Sequence, residues 1–202
     1  MVKCIVFDIG NVLLDFKPME HLEVLFTEEK DLKELYNQIF LSKEWIELDR
    51  GTLTQEEFTD IICLRHPMNS ELIRQVMKNW VDMLTPKVDT LEIIERIDFD
   101  KYKVLLLSNF HKFAYEYITE KYEFFKRFHG GIISYKEKLV KPNKDIFECL
   151  IERHDFLPEE AVFIDDTYDN VEAAAKLGFN IIHFKSAVQL KEELNRFGVS
   201  LI

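Results

Sequence analysis

Residues 162–174 read VFIDDTYDNVEAA: an apolar run, two adjacent acids, then apolar and small residues at helical spacing. The run is only as long as a strand and has no polar face. That is how a strand reads when helices cover its sheet on both sides. Adjacent acids at the end of such a strand gain nothing from packing, so Asp165 and Asp166 need a chemical reason to be there. Beyond them Val171, Ala174, Ala175 and Leu177 share one face of a predicted helix, which Gly178 can end as the C′ residue.

The same strand-then-helix unit recurs outward from this stretch. Val2–Phe7, Val104–Leu107 and Gly131–Ile133 are further short apolar runs, Ala161–Ile164 is the run just quoted, and Asn180–Phe184 is a weaker one. Strand and helix patterns in alternation imply a doubly wound α/β fold with a parallel sheet. Residues 16–87 break the alternation, with several helical patterns and no convincing strand. One pattern starts at Thr54, with Glu57 at the capping-box position and Phe58, Ile61 and Ile62 on one face. Another carries Ile73, Val76, Met77 and Trp80 at i, i+3, i+4, i+7. The expected organisation is a core of residues 1–15 and 88–202 with a helical cap, 16–87, inserted after the first strand.

The chain has 202 residues, is 47% hydrophobic and 31% charged, and carries a formal net charge of −11. This describes a packed globular protein without the basic footprint that nucleic-acid backbones require. The three cysteines, Cys4, Cys63 and Cys149, are scattered and form no CxxC pair, which reads as reduced thiols, with Cys4 and Cys149 expected to be buried. No run approaches the roughly 18 apolar residues of a membrane span, and Met1–Phe7 is too short for a signal peptide. The expectation is a soluble, cytoplasmic monomer or homodimer with no membrane partner.

Ligands of open α/β sheets bind beyond the carboxyl ends of the strands. Asp8 follows the first run in VFDIGNVLLDF (6–16), Ser108 and Asn109 follow the second in LLLSNF (105–110), Lys141 stands in LVKPNKDIF (139–147), and Asp165–Asp166 end the fourth. Singly, each has a bland reading as a turn or helix-cap residue. Together they make a carboxylate cluster that is tolerable only with a cation inside it. Carboxylate and carbonyl oxygens suit Mg²⁺, which commonly takes one or two carboxylates plus a substrate phosphate. A carboxylate can also attack phosphorus to form an aspartyl-phosphate, with a hydroxyl, an amide and a lysine serving the phosphoryl oxygens.

Asp8, Ser108, Lys141 and Asp165–Asp166 resemble, in order and spacing, the four motifs of the haloacid dehalogenase superfamily, over nearly the whole chain. The FDxGNV form of the first motif and the stretch EWIELDRGTLTQEEF (44–58) are most similar to the branch that includes bacterial glucose-1-phosphate phosphatases. The resemblance implies a Rossmann-like core and a Mg²⁺-dependent phosphatase acting on a small phosphorylated metabolite, a sugar phosphate being favoured. It implies Asp8 as nucleophile and metal ligand, the Gly10 carbonyl and Asp166 as further ligands, and Asp165 behind them. Ser108 and Asn109 would hold the phosphoryl oxygens, Gly10 and Asn11 would border the substrate, and Lys141 would bridge nucleophile and phosphate. Asn170 would support the loop, and Asp169 would be a helix-start acid.

The pattern departs from the superfamily at Gly10, where most of its phosphatases carry a second Asp as general acid/base. Gly supplies no proton, which disfavours a mutase and leaves the acid to be found elsewhere. Asp15 and Asp49 are the candidates; Arg50 could meet the substrate or an internal acid. Most aromatics read as core, Phe110 as a pocket wall, and His111 is the histidine to watch. The competing readings are a hydrolytic dehalogenase using Asp8 on carbon and an inactive binding module of the same fold.

Overall fold

The computed structural model describes residues 1–26 and 31–202. Five parallel strands form the main sheet: β1 (Cys4–Phe7), β4 (Lys103–Ser108), β5 (Gly131–Ile133), β6 (Ala161–Asp165) and β7 (Asn180–His183), in the order β5-β4-β1-β6-β7. Every run read as a strand is one. Side chains alternate faces along a strand, and here both faces are covered. Ile5, Phe7, Val104, Leu106, Val162 and Ile164 enter one apolar cluster. Cys4, Val6, Leu105, Leu107, Ala161 and Phe163 enter the other.

Helices α6 (Val88–Glu95), α7 (Lys112–Lys121), α8 (Ser134–Glu137), α9 (Lys144–His154), α10 (Tyr168–Lys176) and α11 (Ala187–Arg196) link or follow these strands. The α10 face differs in one position from its predicted pattern: Val171 and Ala174 are buried and Leu177 half-buried, but Ala175 is exposed. Asn170 turns inward in its place, 7% exposed, because its amide has a buried carboxylate to meet. At Gly131, φ is +148° and an added Cβ would stand 2.1 Å from the Leu106 carbonyl oxygen. The tight seam between β5 and β4 therefore requires glycine.

Between β1 and β4 the chain makes β2 (Leu14–Asp15), then α1 (Pro18–Leu25), α2 (Leu32–Ile39), α3 (Lys43–Arg50), α4 (Gln55–Arg65) and α5 (Ser70–Asn79), and returns through β3 (Thr85–Pro86). The antiparallel pairing of β2 with β3 corrects the reading of residues 16–87 as free of strands. Two residues are too few to show a period of two. The capping box at Thr54 is present: the Glu57 amide donates to the Thr54 hydroxyl at 3.2 Å and the Thr54 amide to the Glu57 carboxylate at 2.8 Å. Ile73, Val76, Met77 and Trp80 are all buried, Trp80 one residue past the end of α5. They and Phe58 belong to the same apolar cluster as Phe7 and Leu106, so the helical segment packs on the sheet's own core.

The three thiols are free, and burial pushes that of Cys4 up to about 12. Cys149 is half-buried rather than buried, since it sits toward the rim of α9. Among the described residues no helix is long and apolar enough to cross a membrane.

Candidate active site

The sheet register decides which side chains meet. Phe7 lies level with Leu106 on one side and Ile164 on the other. The next residues, Asp8, Leu107 and Asp165, therefore emerge together at the carboxyl edge beside the central strand, where the chain's two halves diverge. Lys141 reaches the same point from the segment between α8 and α9. Its Nζ lies 2.9 Å from Asp8 Oδ1 and 2.6 Å from Asp165 Oδ2, and donates to the Leu107 carbonyl at 3.0 Å.

Lys141 is 3% exposed, and burial alone would depress its pKa; Asp165 and Asp8 outweigh that and hold the ammonium above its ordinary range. Burial pushes the Asp8 carboxyl up to about 7, opposed by Lys141 and the Ser108 hydroxyl and reinforced by Asp165. Asp166 is also raised, by burial first, with the Asn11 hydrogen bond opposing and the charge of Asp165 adding. Oxygens of Asp8, Asp165 and Asp166 lie within 4.8 Å of one another. Three carboxylates against one ammonium leave two negative charges, the deficit that a single divalent cation would cancel.

The three acids are not equivalent. Asp165 is fully buried and its oxygens are occupied: Oδ1 accepts from the Thr167 amide at 2.8 Å and from Asn170 at 3.0 Å, and Oδ2 accepts from Lys141. Asp8 Oδ1 is buried with no aligned donor, the Lys141 ammonium standing beside it off the hydrogen-bond line. Asp166 is half-buried and accepts from Asn11 Nδ2 at 3.0 Å. A hard dication would find open oxygens on Asp8 and Asp166, so the donor set fits one there. His183 Nε2 lies 2.9 Å from the Asp166 carbonyl oxygen; a carbonyl only accepts, so that nitrogen bears the proton.

Two expected substrate contacts have other partners. Asn109 Nδ2 donates to the Lys141 carbonyl at 3.0 Å and its Oδ1 accepts from the Lys141 amide at 2.8 Å, so this side chain clamps the lysine's backbone. Asn11, at φ +53°, accepts from the Phe16 amide at 3.1 Å through Oδ1 while its Nδ2 holds Asp166. Ser108 is 1% exposed, and its hydroxyl opposes the rise of the Asp8 carboxyl. Gly10 is half-exposed, with nothing within 4 Å of where a Cβ would stand.

Gly10 and Asn109 open onto a cavity of about 90 Å³. Its walls include Phe16, Trp45, Trp80 and Phe110, so the wall expected at Phe110 extends to both tryptophans; helical spacing alone shows these only as core. Asp49 and His111 also line it, with His111 Nδ1 3.2 Å from Asp49 Oδ1. The seating of Asp49 needs Ser134 and Gly51, neither of which stands out in the sequence. The buried Ser134 hydroxyl donates to the Asp49 carbonyl at 2.5 Å and accepts from the Phe110 amide at 2.8 Å. Gly51, at φ +74°, lets the end of α3 approach so closely that a Cβ would meet the Tyr135 carbonyl oxygen at 2.8 Å.

The other candidates fall outside the cavity. Asp15 pairs with Lys87 at 3.0 Å and Lys17 at 3.7 Å. Arg50 lies 3.4 Å from Glu47, the internal ion pair, and Asp169 is an exposed acid in the first turn of α10.

The haloacid dehalogenase-like hydrolase family matches residues 2–178. The chain belongs to that family and is a hydrolase of the corresponding fold. The D-ribitol-5-phosphate phosphatase of Bacteroides thetaiotaomicron is 27% identical over 96% of this chain and 97% of its own length. The sesquiterpene phosphatase astK of Aspergillus oryzae is 22% identical over 96% of this chain and 95% of its own. A haloacid dehalogenase family enzyme of Bacteroides thetaiotaomicron, solved with magnesium and inorganic phosphate, superposes with a TM-score of 0.70 at 22% identity, over 92% of this chain and 95% of that one.

Proposed function

We propose that this protein is a Mg²⁺-dependent phosphomonoesterase that hydrolyses a small phosphorylated metabolite through an aspartyl-phosphate on Asp8. The observation that carries the reading is Lys141, buried between Asp8 and Asp165 with Asp166 closing the cluster. Asp8, Asp166 and the Gly10 carbonyl would hold the ion, which when bound supplies positive charge to Asp8 and to the phosphoryl oxygens. Lys141 steadies the ionised Asp8 and offers its remaining proton to the phosphoryl group. Ser108 orients the same carboxylate, and Asp165, with no free oxygen, orients Lys141. Asn109 and Asn11 act one step back, on Lys141 and Asp166.

Residues 16–87 serve as the cap, carrying Trp45 and Asp49 over the site and limiting the substrate to a small leaving group. The ribitol-phosphate phosphatase likeness favours a sugar or sugar-alcohol phosphate. The aromatic cavity wall favours a second substrate class, the phosphate of an apolar alcohol. A dehalogenase reaction on carbon has no use for a divalent-cation deficit beside Asp8. An inactive binding module has no reason to keep three acids and a lysine out of water.

The deciding assay is p-nitrophenyl phosphate turnover with and without Mg²⁺, in the native protein and in Asp8→Asn. Turnover that needs both Mg²⁺ and Asp8 is the expected result. Metal-independent turnover, or activity surviving in Asp8→Asn, would sink the reading. A screen of sugar phosphates against prenyl phosphates then separates the two substrate classes.

A further inference from the structure

The residue two after Asp8 is Gly10, so the first motif carries no acid for the leaving group. The cavity that Gly10 lines is also lined by an imidazole with unused capacity. His111 is 2% exposed, yet its Nε2 has no hydrogen-bond partner among the described residues. The ring packs against both Trp45, at 5.6 Å and 83°, and Trp80, at 4.7 Å and 50°. A core histidine ordinarily satisfies both nitrogens, because an orphaned buried one has lost its hydration with nothing in return. Here only Nδ1 is met, by Asp49, and the ring lines the cavity that Gly10 and Asn109 open onto. The pair is also held from behind. Ser134 bonds the Asp49 carbonyl and the Phe110 amide at once, tying the end of α3 to the residue before His111.

We propose that His111 is the general acid and base of this enzyme, with Asp49 as the residue that positions it; the assignment rests on the phosphatase reading above. An ionised Asp49 has no proton to give, so Nδ1 must carry one, and the donor form is the imidazolium. In the first step Asp8 attacks phosphorus, the bond to the leaving oxygen breaks, and that oxygen takes its electron pair and the Nε2 proton to depart as an alcohol. In the second step water attacks the phosphorus of the aspartyl-phosphate and gives a proton to Nε2. The bond to Asp8 breaks, phosphate leaves, and the imidazolium is restored. Each step returns what the other uses. The acid that Gly10 cannot supply then comes from elsewhere in the cavity wall.

The test is a leaving-group series. kcat/KM with Mg²⁺ is measured for p-nitrophenyl, phenyl and benzyl phosphate in the native protein, His111→Gln and Asp49→Asn, with circular dichroism to verify folding. p-Nitrophenolate departs with little help and an alkoxide does not. His111→Gln should therefore lose about 10²–10⁴-fold on benzyl phosphate and roughly tenfold or less on p-nitrophenyl phosphate. Asp49→Asn should show the same ordering with smaller losses, and Asp49→Glu should restore part of it. Should His111→Gln fail to fold, Asp49→Asn carries the test. Equal losses across the series, or none, would overturn the assignment and leave the phosphatase reading intact. Native protein that hydrolyses only p-nitrophenyl phosphate would also overturn it. Native protein that turns over none of the three would overturn the phosphatase reading, and this assignment with it.

Discussion

Replacing Lys141 by Met tests whether the carboxylate cluster is held together by one side chain. The ammonium lies 2.9 Å from Asp8 and 2.6 Å from Asp165, donates to the Leu107 carbonyl, and is 3% exposed. Methionine keeps the volume and removes the charge. Asp165 cannot move to water, since Thr167 and Asn170 hold it in place. Removing one partner of a buried ion pair costs about 3–5 kcal/mol, because the other charge is left uncompensated. For a chain of this size that is a fall in Tm of roughly 6–20 °C. Thermal unfolding in EDTA should show it in full. Saturating Mg²⁺ should return part of the loss by cancelling the same negative charge, and should raise Tm in Lys141→Met by more than in the native protein. A Tm within about 2 °C of native in EDTA, well below that range, would refute the reasoning and mean that the acids are already neutral or solvated.

Asn11→Ala removes the donor that holds Asp166 and should weaken Mg²⁺ about 10–100-fold, read by titration calorimetry on protein shown by circular dichroism to be folded. Gly51→Ala must place a Cβ at φ +74° against the Tyr135 carbonyl and should cost roughly 1–3 kcal/mol in urea unfolding, whereas Gly198→Ala, at φ +75° with open space, should cost only the backbone part. Hydrogen bonding from Arg65, at 2.9 and 2.5 Å, holds the Glu44 carboxyl below its ordinary range. That contribution is complete above the ordinary glutamate range and is lost as pH falls through the lowered value, so native protein and Glu44→Gln should differ in stability at neutral pH and converge in acid.

What was legible in the sequence follows from how each feature is encoded. A strand covered on both faces is apolar along its length, so four strands of the main sheet stand out as runs, and β7, with Asn180 and His183 at its ends, stands out less. Their register then brings Asp8 and Asp165–Asp166 to one edge, while Lys141 arrives there from the segment between α8 and α9. The capping box at Thr54 is equally local, lying within four residues. The neck of β2 and β3 is not, because a two-residue strand has no pattern. Nor are the tasks of Asn11 and Asn109, whose amides bind a backbone and a carboxylate brought near only by the fold. Ala175 departs from its apolar spacing for a related reason: a buried amide at Asn170 turns the helix face toward Asp165.

The same distinction bears on where the acid of the reaction could have been sought. Within the first motif the search ends at Gly10, and the two nearby acids then differ by what the fold does with them. Asp15 is drawn to Lys87 across the neck and to Lys17 beside it, away from the cavity. Asp49, forty-one residues beyond Asp8 in the chain, is carried by α3 onto Ser134 and meets a histidine whose other nitrogen is unsatisfied. A glycine at the end of α3 is what lets that helix dock, and a glycine after Asp8 is what leaves room beneath it. Neither glycine has chemistry of its own. Among the described residues that line this cavity the titratable side chains are Asp49, from the end of α3, and His111, from the turn after β4, so the two glycines leave the proton chemistry of the cavity to that pair.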